Sequence, residues 1–146
     1  MPEIVFALYR PKPGREAELA AIVDTHVVEL RELGLVTGRA PIVARSRRDG
    51  TLVEAFEWAS AEAIARAHAH PAVQAIWARF AECAEYPTFG QLAEAGEMFA
   101  GFEPVSVAAN AAPKRVAAKK ARPARRAAKK RGAGEKRAAK KRGKRR

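Results

Sequence analysis

The chain opens on an unbroken apolar run, Ile4-Val5-Phe6-Ala7-Leu8-Tyr9, bracketed by Glu3 and Arg10. A strand with no polar side asks for burial on both faces. Pro11-Lys12-Pro13-Gly14 halts it as a turn. The spacing then changes: Leu19, Ile22, Val23, Leu30 and Leu33 recur at helical intervals. This predicts a helix from Arg15 to Leu33 closed by Gly34, with His26 on the apolar stripe. Residues 41–47 read as a weaker strand, and Arg48-Asp49-Gly50 carries the Asp-Gly pair of a hairpin turn. Thr51–Trp58 alternates, placing Leu52, Glu54, Phe56 and Trp58 on one face and Val53, Ala55 and Glu57 on the other. Ser60 is positioned to cap a helix that runs from Ala61 to His70, is kinked or restarted at Pro71, and resumes to Ala84. Its buried side is expected at Ile64, Ala67, His68, Val73, Ile76, Trp77 and Phe80. Residues 91–99 predict a short extra helix. Residues 102–107 predict a last strand, which Pro104 confines to an edge or to its first residues.

The order is β-α-β-β-α-β, the ferredoxin-like split unit of the α+β class. Two helices would cover one face of a four-stranded sheet and leave the other bare. Because the first strand is apolar on both sides, the bare face is expected to meet a second copy, giving a homodimer.

Charge divides the chain in two. Residues 1–107 carry one Lys, nine Arg and fifteen Asp or Glu, a net charge of −5. Residues 108–146 carry 18 Lys or Arg against Glu135 alone, a net charge of +17. The overall +12 therefore describes neither part, and a domain boundary falls at residue 107. Beyond it there is no aromatic residue, Ala-Ala-Lys-Lys recurs at 117–120, 127–130 and 138–141, and Pro113, Pro123, Gly132, Gly134 and Gly143 interrupt any long helix. Such a segment has too little apolar surface to offset its ordering entropy, so it is expected to be disordered on its own. Lys119, Lys120, Arg125, Arg126, Lys129, Lys130, Arg131, Lys140, Lys141 and Arg142 are the candidate phosphate-binding residues. With neither stacking aromatics nor a fixed reading helix, non-specific binding of nucleic acid is expected. The plainer alternative is a solubilising extension. Anionic lipid is disfavoured because no apolar anchor adjoins the basic run. In composition the segment resembles the Ala-Lys-Pro tails of linker histones.

Cys83 is alone, which excludes an intramolecular disulfide, and no stretch approaches the roughly 20 apolar residues of a membrane span. The start Met1-Pro2-Glu3 lacks a signal-peptide pattern, and a cytoplasmic location is expected. There is no Gly-rich phosphate loop, no Gly-x-Ser-x-Gly elbow and no paired-cysteine metal site, which removes most common enzyme classes.

Three polar residues stand where packing alone prefers apolar ones: His26, His68 and Glu54. If they converge beneath the helices, they form a set able to move a proton near neutral pH, with His68 as the first candidate for that role. Two histidines and a carboxylate also suit zinc or non-haem iron, but the spacing matches no tight ligand motif, and neither metal nor cofactor is expected. The competing readings are hydrogen-bonded core histidines, and a Glu54 that faces a dimer interface or pairs with Arg45. Trp58, Trp77, Tyr86 and Phe89 are candidates to wall a pocket for a small aromatic ligand, or else belong to the core.

The strand Ile4–Tyr9, Pro13-Gly14, the helix with internal His26, the hairpin at Asp49-Gly50, the segment Val53–Ser60 and the Ala67-His68 pair together resemble the dimeric α/β-barrel superfamily. Within it they are similar to the antibiotic-biosynthesis-monooxygenase-like domains. The resemblance implies a dimer of two packed sheets with a pocket between each sheet and its helices. It also implies small-molecule binding or cofactor-free monooxygenase chemistry, here tethered to nucleic acid by the basic tail. The alternative is a catalytically silent dimerisation module whose tails bind nucleic acid.

Overall fold

A computed structural model describes residues 1–111 of the 146. All ten candidate nucleic-acid-binding residues, from Lys119 to Arg142, lie outside the described residues. The elements are β1 (Glu3–Pro11), α1 (Glu16–Glu32), β2 (Ile42–Arg45), β3 (Leu52–Trp58), α2 (Ala61–Ala69), α3 (Pro71–Cys83), β4 (Ala84–Glu85) and β5 (Glu103–Val105). The fold is α+β: a five-stranded antiparallel sheet in the order β4-β1-β3-β2-β5, with three helices. The order β4-β1-β3-β2 is compatible with a ferredoxin-like unit.

Local chemistry sets the boundaries. At the end of α1, Gly34 takes φ +66, its N–H donates to Arg31, and Leu35 N–H donates to Leu30. This paired closure needs a left-handed residue, which glycine adopts without a Cβ clash. Leu30 and Leu35 then pack in the same core cluster. Ser60 Oγ accepts from Ala63 N–H at the start of α2. His70 leaves the helix at φ −85, ψ 120 and accepts from Ala72 N–H through Nδ1, so it ends α2 and caps α3, with Pro71 in its first turn. Of the expected kink or restart at Pro71, the structure has the restart: a clean break into two helices.

The register aligns Val5, Ala7 and Tyr9 with Phe56, Glu54 and Leu52. These residues share the inner face with Trp58, and the buried stripe of α1 (Leu19, Ile22, Val23, His26, Val27 and Leu30) supplies much of the core that packs with it. Ile4, Phe6 and Leu8 fall on the outer face with Val53, Ala55 and Ile42. There Ile4, Phe6 and Ile42 are exposed, Ile42 at 71%.

One expectation requires correction, and two placements were not anticipated. The strand near residue 105 pairs with β2, Val43 opposite Val105, and so sits at the far edge of the sheet. The position beside β1 is held instead by β4, which pairs only Arg10 with Glu85 and Pro11 with Ala84. Pro87, which cannot donate to a ladder, follows at once. Residues 91–99 are not a helix. One 3-10 turn, Phe89–Gln91, leads into a series of turns punctuated by Gly90 and Gly96. This strap is pinned to the hairpin end of the sheet: Ser46 Oγ donates to the buried Glu94 at 2.7 Å, and Arg48 donates to Ala93 O and pairs with Glu97. Arg10 donates to Gln91 O at 2.9 Å. Finally, the chain stays packed past residue 107: Val107 is buried, and Ala108 N–H donates to Asp24 at 3.0 Å. Among the described residues no helix is long and apolar enough to cross a membrane.

Candidate functional site

The inner-face alternation of β3 turns Glu54 toward α1, and the helical stripe of α1 turns His26 toward β3. They meet: His26 Nδ1 lies 2.8 Å from Glu54 Oε2, with the two residues 2% and 0% exposed. Tyr9, from the inner face of β1, donates its hydroxyl to the same oxygen at 3.1 Å. An ionised carboxylate only accepts, so both neighbours donate. That places a proton on Nδ1 and leaves Nε2 of a neutral His26 as the lone-pair nitrogen. Burial, followed by the adjacent Glu54 charge, pushes the Tyr9 hydroxyl well above its ordinary pKa of 10.0, so it remains a donor. Glu54 neither faces outward nor pairs with Arg45, which sits opposite Leu52.

Aromatic rings fix this cluster. The His26 ring meets Phe56 and Phe80 edge-on at 5.4 and 5.1 Å, and Tyr9 stacks on Phe80 at 4.4 Å. A cavity of about 650 Å³ opens beside it, walled by His26, Phe56, Phe80 and consecutive residues of β1 from Val5 to Tyr9. Its volume falls in the range of small-molecule sites, roughly 300–1,000 Å³. Trp58, Trp77 and Tyr86 all line it, as does Phe89. His26 Nε2 and Glu54 Oε1 are buried without a hydrogen-bond partner among the described residues.

His68 does not join the cluster. Ala63 and Ala67 are the residues α2 buries; His68, one position further round, is exposed and meets only the edge of Trp77 at 5.0 Å. The buried stripe of α2 runs through Ala63 and Ala67 with Ile64 only half-buried, so the Ile64–His68 line lies at its margin. The two-histidine, one-carboxylate set is therefore not assembled, and among the described residues no group of three His, Cys, Asp or Glu is placed to hold a metal. Cys83 is a core thiol whose pKa is raised by burial first and then by Glu18. Tyr9 was not among the expected site residues. The available signal was a hydroxyl at the end of a wholly apolar strand, which needs a partner once buried.

No protein-family model matches the chain, and neither the curated proteins nor the solved structures yield a match.

Proposed function

We propose that the chain is a dimeric small-molecule-binding domain of the ferredoxin-like α/β-barrel kind, in which His26 exchanges a proton with the ligand, joined to a basic segment that binds nucleic acid. The carrying observation is His26 in the cavity wall, with Nδ1 committed to Glu54 and Nε2 buried without a partner. An acidic O–H or C–H presented to Nε2 would give up its proton there. Glu54 would stabilise the resulting imidazolium, and Tyr9 would hold Glu54 in place. A monooxygenase-like reading accordingly rests on His26 and Glu54 rather than on His68.

The exposed apolar side chains Ile4, Phe6 and Ile42 on the outer sheet face support the homodimer. They also favour the second reading, a silent dimerisation module that gives two basic segments avidity on nucleic acid. The two readings separate in one experiment on the full chain: naphthol titrated against the fluorescence of Trp58 and Trp77, in wild type and in His26→Leu. Saturable binding that weakens at least tenfold in the variant supports the ligand-binding reading. A folded dimer that binds no aromatic alcohol leaves the scaffold.

A further inference from the structure

The cavity lies along an open edge of the sheet. In an antiparallel ladder, successive residues direct their N–H and C=O alternately to the two sides. Lys12 N–H donates to Cys83 O at 2.8 Å, so the even-numbered residues of β1 point toward β4. The other side of the sheet fixes the same parity independently. Thr37 N–H donates to Glu57 O and Ser46 N–H to Thr51 O, so the odd residues of β3 point to β2 and the even ones to β1. With Ala7 opposite Glu54, the odd residues of β1 pair with β3. The main chain of Ile4, Phe6 and Leu8 is therefore directed away from the sheet.

β4 ends at Glu85 after pairing with Arg10 and Pro11, so it does not reach these groups. Among the described residues no hydrogen bond from another element reaches them. The chain instead runs on from Tyr86 to Phe89 at a distance, and Tyr86, Pro87, Thr88 and Phe89 form the opposite wall of the cavity. Phe89 meets Phe6 at 5.5 Å, and Tyr86 meets Tyr9 at 5.9 Å. Leu8 is only 6% exposed. Its outward N–H and C=O thus lack both a strand partner and ready access to water, a costly arrangement for backbone groups.

Resting on the reading that this cavity is a ligand site, we infer the class of ligand: a small apolar molecule carrying an N-acyl amino-amide unit, with two secondary amides flanking one carbon, bound as the missing length of β4. Its N–H and C=O pair with the outward main chain of Phe6 and Leu8, as an added strand would. Its apolar body lies against Trp58, Trp77 and Phe80. Such a unit is favoured over an alcohol because the edge offers a donor and an acceptor on the same residue, which the N–H and C=O on either side of one carbon of an extended chain match.

The test uses the full chain and three probes of similar size. N-acetyl phenylalanine methylamide presents the amide. O-acetyl phenyllactate methyl ester keeps the shape but replaces each N–H by oxygen, and naphthol carries no amide. The amide is expected to bind at least about tenfold more tightly than the ester, since an unmet buried partner carries a penalty of that order. It should also shift the backbone amide resonances of Phe6 and Leu8. Phe6→Pro removes one outward N–H without touching the β3 ladder; whatever the loss of its ring costs both probes, it should narrow the amide's advantage over the ester. Equal binding of amide and ester overturns the inference even if naphthol binds, in which case the cavity reading stands. If none of the three binds, the cavity reading and this inference fall together.

Discussion

Removing His26 should destabilise the domain sharply, and removing the charge it contacts should restore part of the loss. In His26→Leu the Glu54 carboxylate, 0% exposed, keeps only the Tyr9 hydroxyl as a donor. Leaving a buried charge without its partner costs about 3–5 kcal/mol, a large share of the roughly 5–15 kcal/mol that holds a domain folded. Glu54→Gln retains an acceptor for both donors and removes the charge, and should cost less, about 1–2 kcal/mol. The double variant has no stranded charge, so it should be more stable than His26→Leu by about 1–3 kcal/mol despite carrying one more substitution. Urea unfolding followed through Trp58 and Trp77 fluorescence resolves this, since 3 kcal/mol moves the midpoint by more than about 1 M. Strictly additive losses, or a His26→Leu variant within about 0.5 kcal/mol of wild type, would refute a buried Glu54 carboxylate that depends on His26.

Four further outcomes follow from other parts of the molecule. Ser60→Ala removes the acceptor for Ala63 N–H and should cost about 1 kcal/mol in the same urea assay. Because the Tyr9 pKa is raised in the folded state, its contribution is intact below pH 10.0 and is lost as pH rises beyond that value; a stability–pH titration of Tyr9→Phe should lack that alkaline component. Ile42→Lys places a charge on the exposed outer face and should shift sedimentation from dimer to monomer without loss of helical signal. Full-length chain should lose nucleic-acid affinity roughly 10³–10⁵-fold between 50 and 200 mM salt, and a chain ending at residue 111 should show no such binding.

Much of the architecture was legible because local rules and tertiary packing agree. The apolar run of β1, the stripe of α1, the Gly34 cap, the Asp-Gly hairpin and the strict alternation of β3 each carry their own signal. Glu54 and His26 were legible as polar residues on apolar faces, and the sheet register brings them together. What stayed hidden depends on context. Ala84-Glu85 has no strand signature; it pairs only because α3 delivers it beside Arg10 and Pro11. His68 shares helical spacing with Ile64, but α2 is buried along Ala63 and Ala67, one position round, and a stripe of alanines gives little signal of which side faces in. The strap over residues 91–99 has helix-forming composition, yet Glu94 turns inward to Ser46, a tertiary contact that no local pattern announces.

The hidden element and the candidate site are connected. A β4 long enough to pair with all of β1 would put its backbone where the cavity now lies, and the Tyr86–Phe89 wall would close onto Val5–Tyr9. Packing alone favours that closure, since it would satisfy the outward groups of Phe6 and Leu8. Packing alone also favours an apolar pair over His26 and Glu54, because burying a carboxylate carries a desolvation cost that hydrophobic replacements avoid. Two separate departures from the stable arrangement, one in the backbone and one in the side chains, border a single space. That both departures border one cavity supports the proposed ligand more strongly than either feature does alone.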